Sequence, residues 1–190
     1  MDHLETPLPR LVTPRLVLRR LTVEDADAMF AFLRDPRLTE FVSWDHHASV
    51  ERTVLYLMTV ETAYRDGGLL EWAVTTRRGG RVVGTCGFTR FDPDHARAEL
   101  GYTIGRRFSG RGYATEAAAE VVRFGFEELG LHRVEAQCAV GNAASARVLE
   151  KIGMTCEAVL AERASIRGRF CDVKMFARLR RDEEEREGDA

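Results

Sequence analysis

The spacing of apolar residues changes several times along this 190-residue chain, and each change marks an element. From Arg15 to Arg20 the chain reads as a strand, with apolar Leu16-Val17-Leu18 between arginines. Thr22 then opens a helix in which Ala26, Met29, Phe30 and Leu33 share a face, with Asp25 as the capping partner and Pro36 as the stop. A second helix runs from Ser49 to about Asp66, where Gly67-Gly68 ends it. Leu69 to Thr75 and Arg81 to Thr89 read as strands around the turn Arg77-Arg78-Gly79-Gly80. Next come a strand over 97–104, a helix from Gly112 to Leu129 closed by Gly130, and a strand over 132–140. A helix over 143–152 closed by Gly153 and strands near 154–165 and 169–178 complete the order. The pattern predicts a mixed α/β (α+β) chain with neither internal repeat nor linker: one domain over 1–181, then a disordered acidic tail over 182–190.

Chemistry enters at the loop after the 97–104 strand, Arg106-Arg107-Phe108-Ser109-Gly110-Arg111-Gly112-Tyr113-Ala114-Thr115-Glu116. A strand, a glycine-bearing turn and a helix N-terminus together aim unbonded backbone N–H groups outward, which suits phosphate. The nucleotide-triphosphate loop has this glycine spacing but needs Lys and a hydroxyl where the chain has Arg111 and Gly112. The dinucleotide fingerprint needs a third small residue where Thr115 stands. A pyrophosphate grip without a metal remains. Gly110 and Gly112 admit the phosphate to the backbone, and Arg106, Arg107 and Arg111 are candidates for its outer oxygens.

Arg107-Phe108-Ser109-Gly110-Arg111-Gly112 fits the signature of the GCN5-related N-acetyltransferases (GNAT): Gln or Arg, two residues, Gly, one residue, then Gly or Ala. Ala98 to Ile104 before it and Gly112 to Ala117 after it resemble the ribosomal-protein N-terminal (Rim-type) branch. So do Thr13-Pro14-Arg15-Leu16-Val17-Leu18-Arg19 and the run from Gly141-Asn142-Ala143-Ala144-Ser145 to Leu149-Glu150-Lys151-Ile152-Gly153-Met154, where Met154 replaces that branch's Phe. The resemblance spans residues 11–178. It implies the GNAT fold, a mixed, mostly antiparallel central sheet of about seven strands flanked by about four helices. It also implies an N-acetyltransferase that moves acetyl from acetyl-CoA to a primary amine by direct attack, with a protein or peptide N-terminal α-amine as acceptor. The alternatives are a small-molecule amine (antibiotic, polyamine or amino acid) and, from another class, a non-catalytic CoA-sensing module.

Glu99 is the candidate base, since its strand leads into the cofactor turn; the competing reading is a carboxylate that bonds an arginine or a neighbouring strand. By resemblance the pantetheine arm lies along Leu100 to Ile104, with Tyr102 and Ile104 in contact and Gly101 admitting the ligand. Cofactor contacts continue through the turn to Tyr113, Ala114 and Thr115. Asn142 would hold the amide groups, and Ser145 would contact the cofactor and protonate the leaving thiolate; helix capping accounts for Asn142 equally well. The resemblance puts the acceptor between 41–47 and 165–172. Phe41 and Trp44 are candidate pocket walls, and Asp172 either attracts a cation or pairs with an arginine such as Arg169. His46 and His47 could assist proton transfer, although adjacent histidines in a loop are usually solvated, and no third ligand stands by for a metal.

Composition narrows the setting. With 45% hydrophobic and 31% charged residues the chain reads as globular. Cys86, Cys138, Cys156 and Cys171 stand singly, without ligand spacing, as in a reduced cytoplasmic protein that holds no metal. No apolar run reaches membrane length and the start lacks signal-peptide character. Net charge is −2, but 182–190 carry six acids, so the body is mildly basic without the dense basic face of a nucleic-acid binder. A monomer or a homodimer is expected.

Overall fold

The computed structural model describes residues 8–65 and 69–181. The expected helix stop at Gly67-Gly68, the tail over 182–190 and the reading of the first seven residues lie outside the described residues. In chain order the strands are β1 (Leu11–Val12), β2 (Leu16–Arg19), β3 (Leu70–Thr76), β4 (Val82–Asp92), β5 (Arg97–Ile104), β6 (Arg133–Ala139), β7 (Thr155–Ile166) and β8 (Arg169–Leu179). The helices are α1 (Ala26–Leu33), α2 (Val50–Arg65), α3 (Tyr113–Glu127) and α4 (Ala143–Lys151). Among the described residues no helix is long and apolar enough to cross a membrane.

The strands form one eight-stranded sheet in the order β1-β2-β3-β4-β5-β6-β8-β7. Every neighbouring pair is antiparallel except β5 and β6. The additional strand is β1, whose two residues pair with β2 and are too few to show a period. The Thr22 cap forms, with the Asp25 carboxylate accepting from the Thr22 N–H at 3.1 Å. Phe32 rather than Phe30 is buried on α1, beside Ala26, Met29 and Leu33. One turn of 3₁₀ helix over Val23–Asp25 precedes α1 and shifts its buried face from that of a helix begun at Thr22.

Alternation along the strands divides the core in two. Leu16, Leu18, Trp72, Val74, Phe88, Ala98 and Leu100 face α3 and α4. Ala73 and Val82 face α1 and α2, against Met29, Phe32, Leu57 and Val60. On β5 the even positions 98 to 104 therefore point to the α3/α4 side, and Glu99, Gly101 and Thr103 point to the other.

Thr89 is an extra residue in the β4–β5 ladder: Phe88 pairs with Leu100 and Arg90 with Glu99. Its side chain occupies the space next to Gly101, where an added Cβ would lie 2.6 Å from Thr89 Cγ2. Gly101 thus makes room for the bulged Thr89, which corrects the reading of that glycine as an opening for a ligand.

Candidate active site

β5 and β6 hydrogen-bond only from Arg97–Glu99 to Arg133–Glu135 and then part. A cleft of about 1030 Å³ opens where they separate, lined by residues 100–104 of β5 and 136–139 of β6. Its volume is at the upper end of ligand clefts, about 300–1,000 Å³. Because side chains from both sheet faces line it, it joins the α3/α4 side to the α1/α2 side.

At one end lies the glycine turn. Residues 106–108 make a single 3₁₀ turn anchored by buried Phe108. Gly110 and Gly112 follow with φ of 75° and 77°, the left-handed region that favours glycine. Gly112 caps α3 without a side chain, and the first helical bond runs from the Glu116 N–H to the Gly112 carbonyl at 3.0 Å. The N–H groups of Tyr113, Ala114 and Thr115 therefore have no helical carbonyl to bond, and all three residues line the cleft. This end suits a pyrophosphate.

The turn is braced from the connection between β1 and β2, a support that the sequence does not announce although its residues stand in the quoted motifs. The Glu116 carboxylate accepts from Thr13 Oγ1 at 2.6 Å, the Arg15 N–H at 2.9 Å and Arg15 Nε at 2.6 Å. Arg15 Nη1 also donates to the Arg111 carbonyl at 2.9 Å, and its guanidinium lies 5.2 Å from the Tyr113 ring centre. Burial opposes ionisation of Glu116, but the bonds from Thr13 and Arg15 outweigh it and hold the carboxyl below its ordinary range. Arg15→Met should leave the fold intact and raise the KM for acetyl-CoA by about fivefold, read from initial rates, because the brace is lost but the N–H groups remain. An unchanged KM would show that the turn holds its shape unaided.

The arginines of the turn divide. Arg106 lines the cleft, with Nε 3.8 Å from Asp35 Oδ2. The Arg107 guanidinium sits 4.9 Å from the Phe108 ring centre, and Arg111 contributes its carbonyl to Arg15; neither residue lines the cleft. Asn142 caps α4, accepting from the Ser145 N–H at 3.1 Å, and also lines the cleft, so both of its readings are compatible with the geometry. Tyr102 and Ile104 line it from β5.

Tyr102 does more than line the wall. Its hydroxyl is 2.9 Å from Ser145 Oγ and donates to the Ser145 carbonyl at 3.1 Å, joining β5 to α4 across the parted strands. Burial pushes its pKa up, outweighing the Ser145 hydrogen bond, so the phenol stays protonated. Cys138 also lines the cleft; its thiol is raised first by burial and therefore stays protonated at neutral pH. Read from sequence as core, Cys138 is buried and faces the cleft as well.

On the α1/α2 side the cleft is lined by Glu99, Thr89, Thr85, Glu71 and Tyr56. Glu99 Oε2 lies 3.8 Å from Arg90 Nε, and its side chain is 22% exposed, so it combines a loose partner with access to solvent. Phe41 and Trp44 stand at the rim, the Phe41 ring against Gly141. Asp172 lies outside the cleft: its Oδ1 accepts from the Glu162 N–H at 2.9 Å and steadies a bulge of β7 where Glu162 has φ of 50°. That bond replaces the expected pairing with Arg169. His47 is buried away from the cleft, with Nδ1 2.8 Å from Thr53 Oγ1.

A parallel strand pair parts beside a glycine turn, with a carboxylate on one face and a tyrosine–serine pair on the other, an arrangement that suits an extended, phosphate-bearing ligand. The chain belongs to the GNAT acetyltransferases: the family model described as an acetyltransferase (GNAT) domain matches residues 15–155. The uncharacterized N-acetyltransferase p20 of Bacillus licheniformis is 31% identical over 172 residues, covering 90% of this chain and 97% of that protein. The uncharacterized N-acetyltransferase YoaA of Bacillus subtilis is 32% identical over 169 residues, covering 89% and 96%. Among solved structures, a proposed ribosomal-protein-serine acetyltransferase from Vibrio cholerae superposes with a TM-score of 0.81 at 26% identity, covering 92% of this chain and 99% of that one. The protein is an N-acetyltransferase of the GNAT fold with a Rim-type resemblance.

Proposed function

We propose that the enzyme transfers acetyl from acetyl-CoA to the N-terminal α-amine of a protein or peptide by direct attack. The observation that carries this reading is the placement of Glu99 and the Tyr102–Ser145 pair on opposite faces of β5, at the point where β5 leaves β6. A base on one face and a proton donor on the other serve attack and departure at a single carbonyl.

The residues fit the donor. Gly112 is a cradle that a Cβ would fill, since a methyl there would meet Arg15 Nη2 at 3.2 Å, and the α3 N–H groups supply the phosphate contacts. Asn142 and the unpaired edge of β5 would hold the amide arm. When bound, the donor supplies an activated acyl carbon and a thiol leaving group. Glu99 takes the proton of the incoming amine, directly or through water. Ser145 Oγ, held 2.9 Å from the Tyr102 hydroxyl, would donate toward the departing sulfur, and the proton that Glu99 takes from the amine balances the one released. The protonated Cys138 is a poor nucleophile, which agrees with direct transfer.

A terminal α-amine, with pKa near 8, is about a tenth neutral at pH 7, whereas a lysine side chain is below about a thousandth. A solvent-accessible Glu99 suits the first more than the second. The similarity to the Vibrio cholerae protein supports a protein acceptor. Thiol release should be measured with acetyl-CoA and three acceptor sets: peptides with free N-termini, Nα-blocked lysine peptides and polyamines. Free N-termini should exceed the others in kcat/KM by at least about tenfold. The reverse order would give the enzyme to small-molecule amines.

A further inference from the structure

Glu71 has no part in the scheme above, yet it lies deep in the same cleft. It sits on β3, on the face covered by α2, among groups that leave its charge unmatched. Tyr56 OH donates to Glu71 Oε2 at 3.0 Å, and Thr85 also bonds the carboxylate. Tyr64 OH donates to the Glu71 backbone carbonyl and fixes the strand beneath it. Among the described residues no lysine or arginine forms an ion pair with Glu71.

A carboxylate offers about four acceptor positions, and Tyr56 and Thr85 use two of them. Burial raises the pKa of this group, against the two hydrogen bonds. A buried carboxylate without a cation is costly, and an incoming cation removes that cost. Glu71 is half-buried and lines the cleft.

The sheet leads from Glu71 to the reaction centre. In register, Glu71 pairs with Gly87 and Gly87 with Gly101, so along that row the Thr89 side chain that fills the space at Gly101 is what stands between Glu71 and β5. Strand spacing puts the Glu71 and Gly101 Cα atoms about 10 Å apart. The next residue of β5 on this face is Glu99. Apolar Met29 and Leu33 and the aromatic rim of Phe41 and Trp44 line the approach. A cationic head on an apolar stem matches this arrangement.

We propose that Glu71, with Tyr56 and Thr85, is the subsite that captures the acceptor as a primary ammonium, R–NH₃⁺, before Glu99 takes its proton. The inference rests on the amine-transfer reading above and divides the labour between two carboxylates, Glu71 for binding and Glu99 for the proton. A primary ammonium has three N–H donors, which match the free acceptor positions of Glu71 and the oxygens of Tyr56 and Thr85. A fully substituted ammonium has none.

The test is NMR of the full chain with ¹³C-labelled glutamate side chains, the Glu71 resonance being assigned with Glu71→Gln. Methylammonium should shift that resonance saturably, tetramethylammonium should not, and Tyr56→Phe should weaken the methylammonium effect by about fivefold. In the transfer assay Glu71→Gln should raise the KM for a peptide amine by about tenfold, with the loss falling on KM and the affinity for acetyl-CoA kept. Gln retains the Tyr56 contact and the side-chain volume, so the variant keeps the local packing. Absence of a saturable methylammonium shift overturns the subsite, as does equal saturation by tetramethylammonium. A fall in kcat with KM unmoved would make Glu71 a base instead. If methylammonium saturates Glu71 while no amine is acetylated, the subsite stands and the acceptor reading falls.

Discussion

Gly112→Val raises the KM for acetyl-CoA by about 100-fold while the protein remains folded. Three effects act together at this residue. Its φ of 77° and ψ of 7° lie in the left-handed region, which a β-branched residue occupies only with strain of about 1–3 kcal/mol. An added Cβ would meet Arg15 Nη2 at 3.2 Å, crowding the guanidinium that ties the Arg111 carbonyl to Glu116. Branched methyl groups would also stand between the α3 N–H groups and a phosphate, where hydrogen bonds to charged groups contribute about 1.5–3 kcal/mol. Gly110 is the internal comparison: its φ is 75°, but nothing lies within 4 Å of an added Cβ. Gly110→Ala should therefore weaken binding by no more than about tenfold, from backbone strain alone. Titration calorimetry with CoA and circular dichroism on both variants would decide. Equal, small losses at the two positions would mean that the donor does not approach the backbone at Gly112.

Those glycines were legible in the chain because their spacing departs from the helical and strand periods around them. Much of the rest of the site was not. In the run Leu70-Glu71-Trp72, Glu71 reads as the polar half of an alternating strand, and only α2 laid over that face turns it into a half-buried carboxylate. The Tyr102–Ser145 contact joins residues 43 apart, and nothing local to either announces it. Charge misleads in the turn as well: three arginines stand beside the phosphate site, yet the guanidinium of Arg107 packs on the neighbouring Phe108 ring and Arg111 contributes its backbone. Asp172 has the right charge for a cationic acceptor but is used by β7 to hold a bulge, whose existence depends on strand register. Periodicity reports which face a residue takes on its own element. It does not report what another element brings to that face, and this site is lined by ten helices and strands.

The second large effect concerns Glu99. Glu99→Gln should lower kcat/KM for a peptide α-amine by about 30-fold at pH 7 and leave the affinity for CoA unchanged. Gln preserves the volume on β5 and gives up only a loose 3.8 Å ion pair with Arg90, so the ladder from Phe88 to Asp92 keeps its register. What disappears is the capacity to take a proton. The size of the defect then depends on how much neutral amine the solution supplies. With an α-amine pKa near 8, the neutral fraction rises from about a tenth at pH 7 to about nine tenths at pH 9. The variant should accordingly recover with rising pH, to within about threefold of the unmodified enzyme at pH 9. With a lysine side chain as acceptor, near pKa 10.4, the neutral fraction is still only about 4% at pH 9, so the variant should climb over the same interval without approaching the unmodified enzyme. Steady-state rates at saturating acetyl-CoA across this pH range, with both acceptors, make the comparison. A defect constant with pH would mean that Glu99 acts by fixing Arg90 and the bulge at Thr89 rather than by accepting the proton.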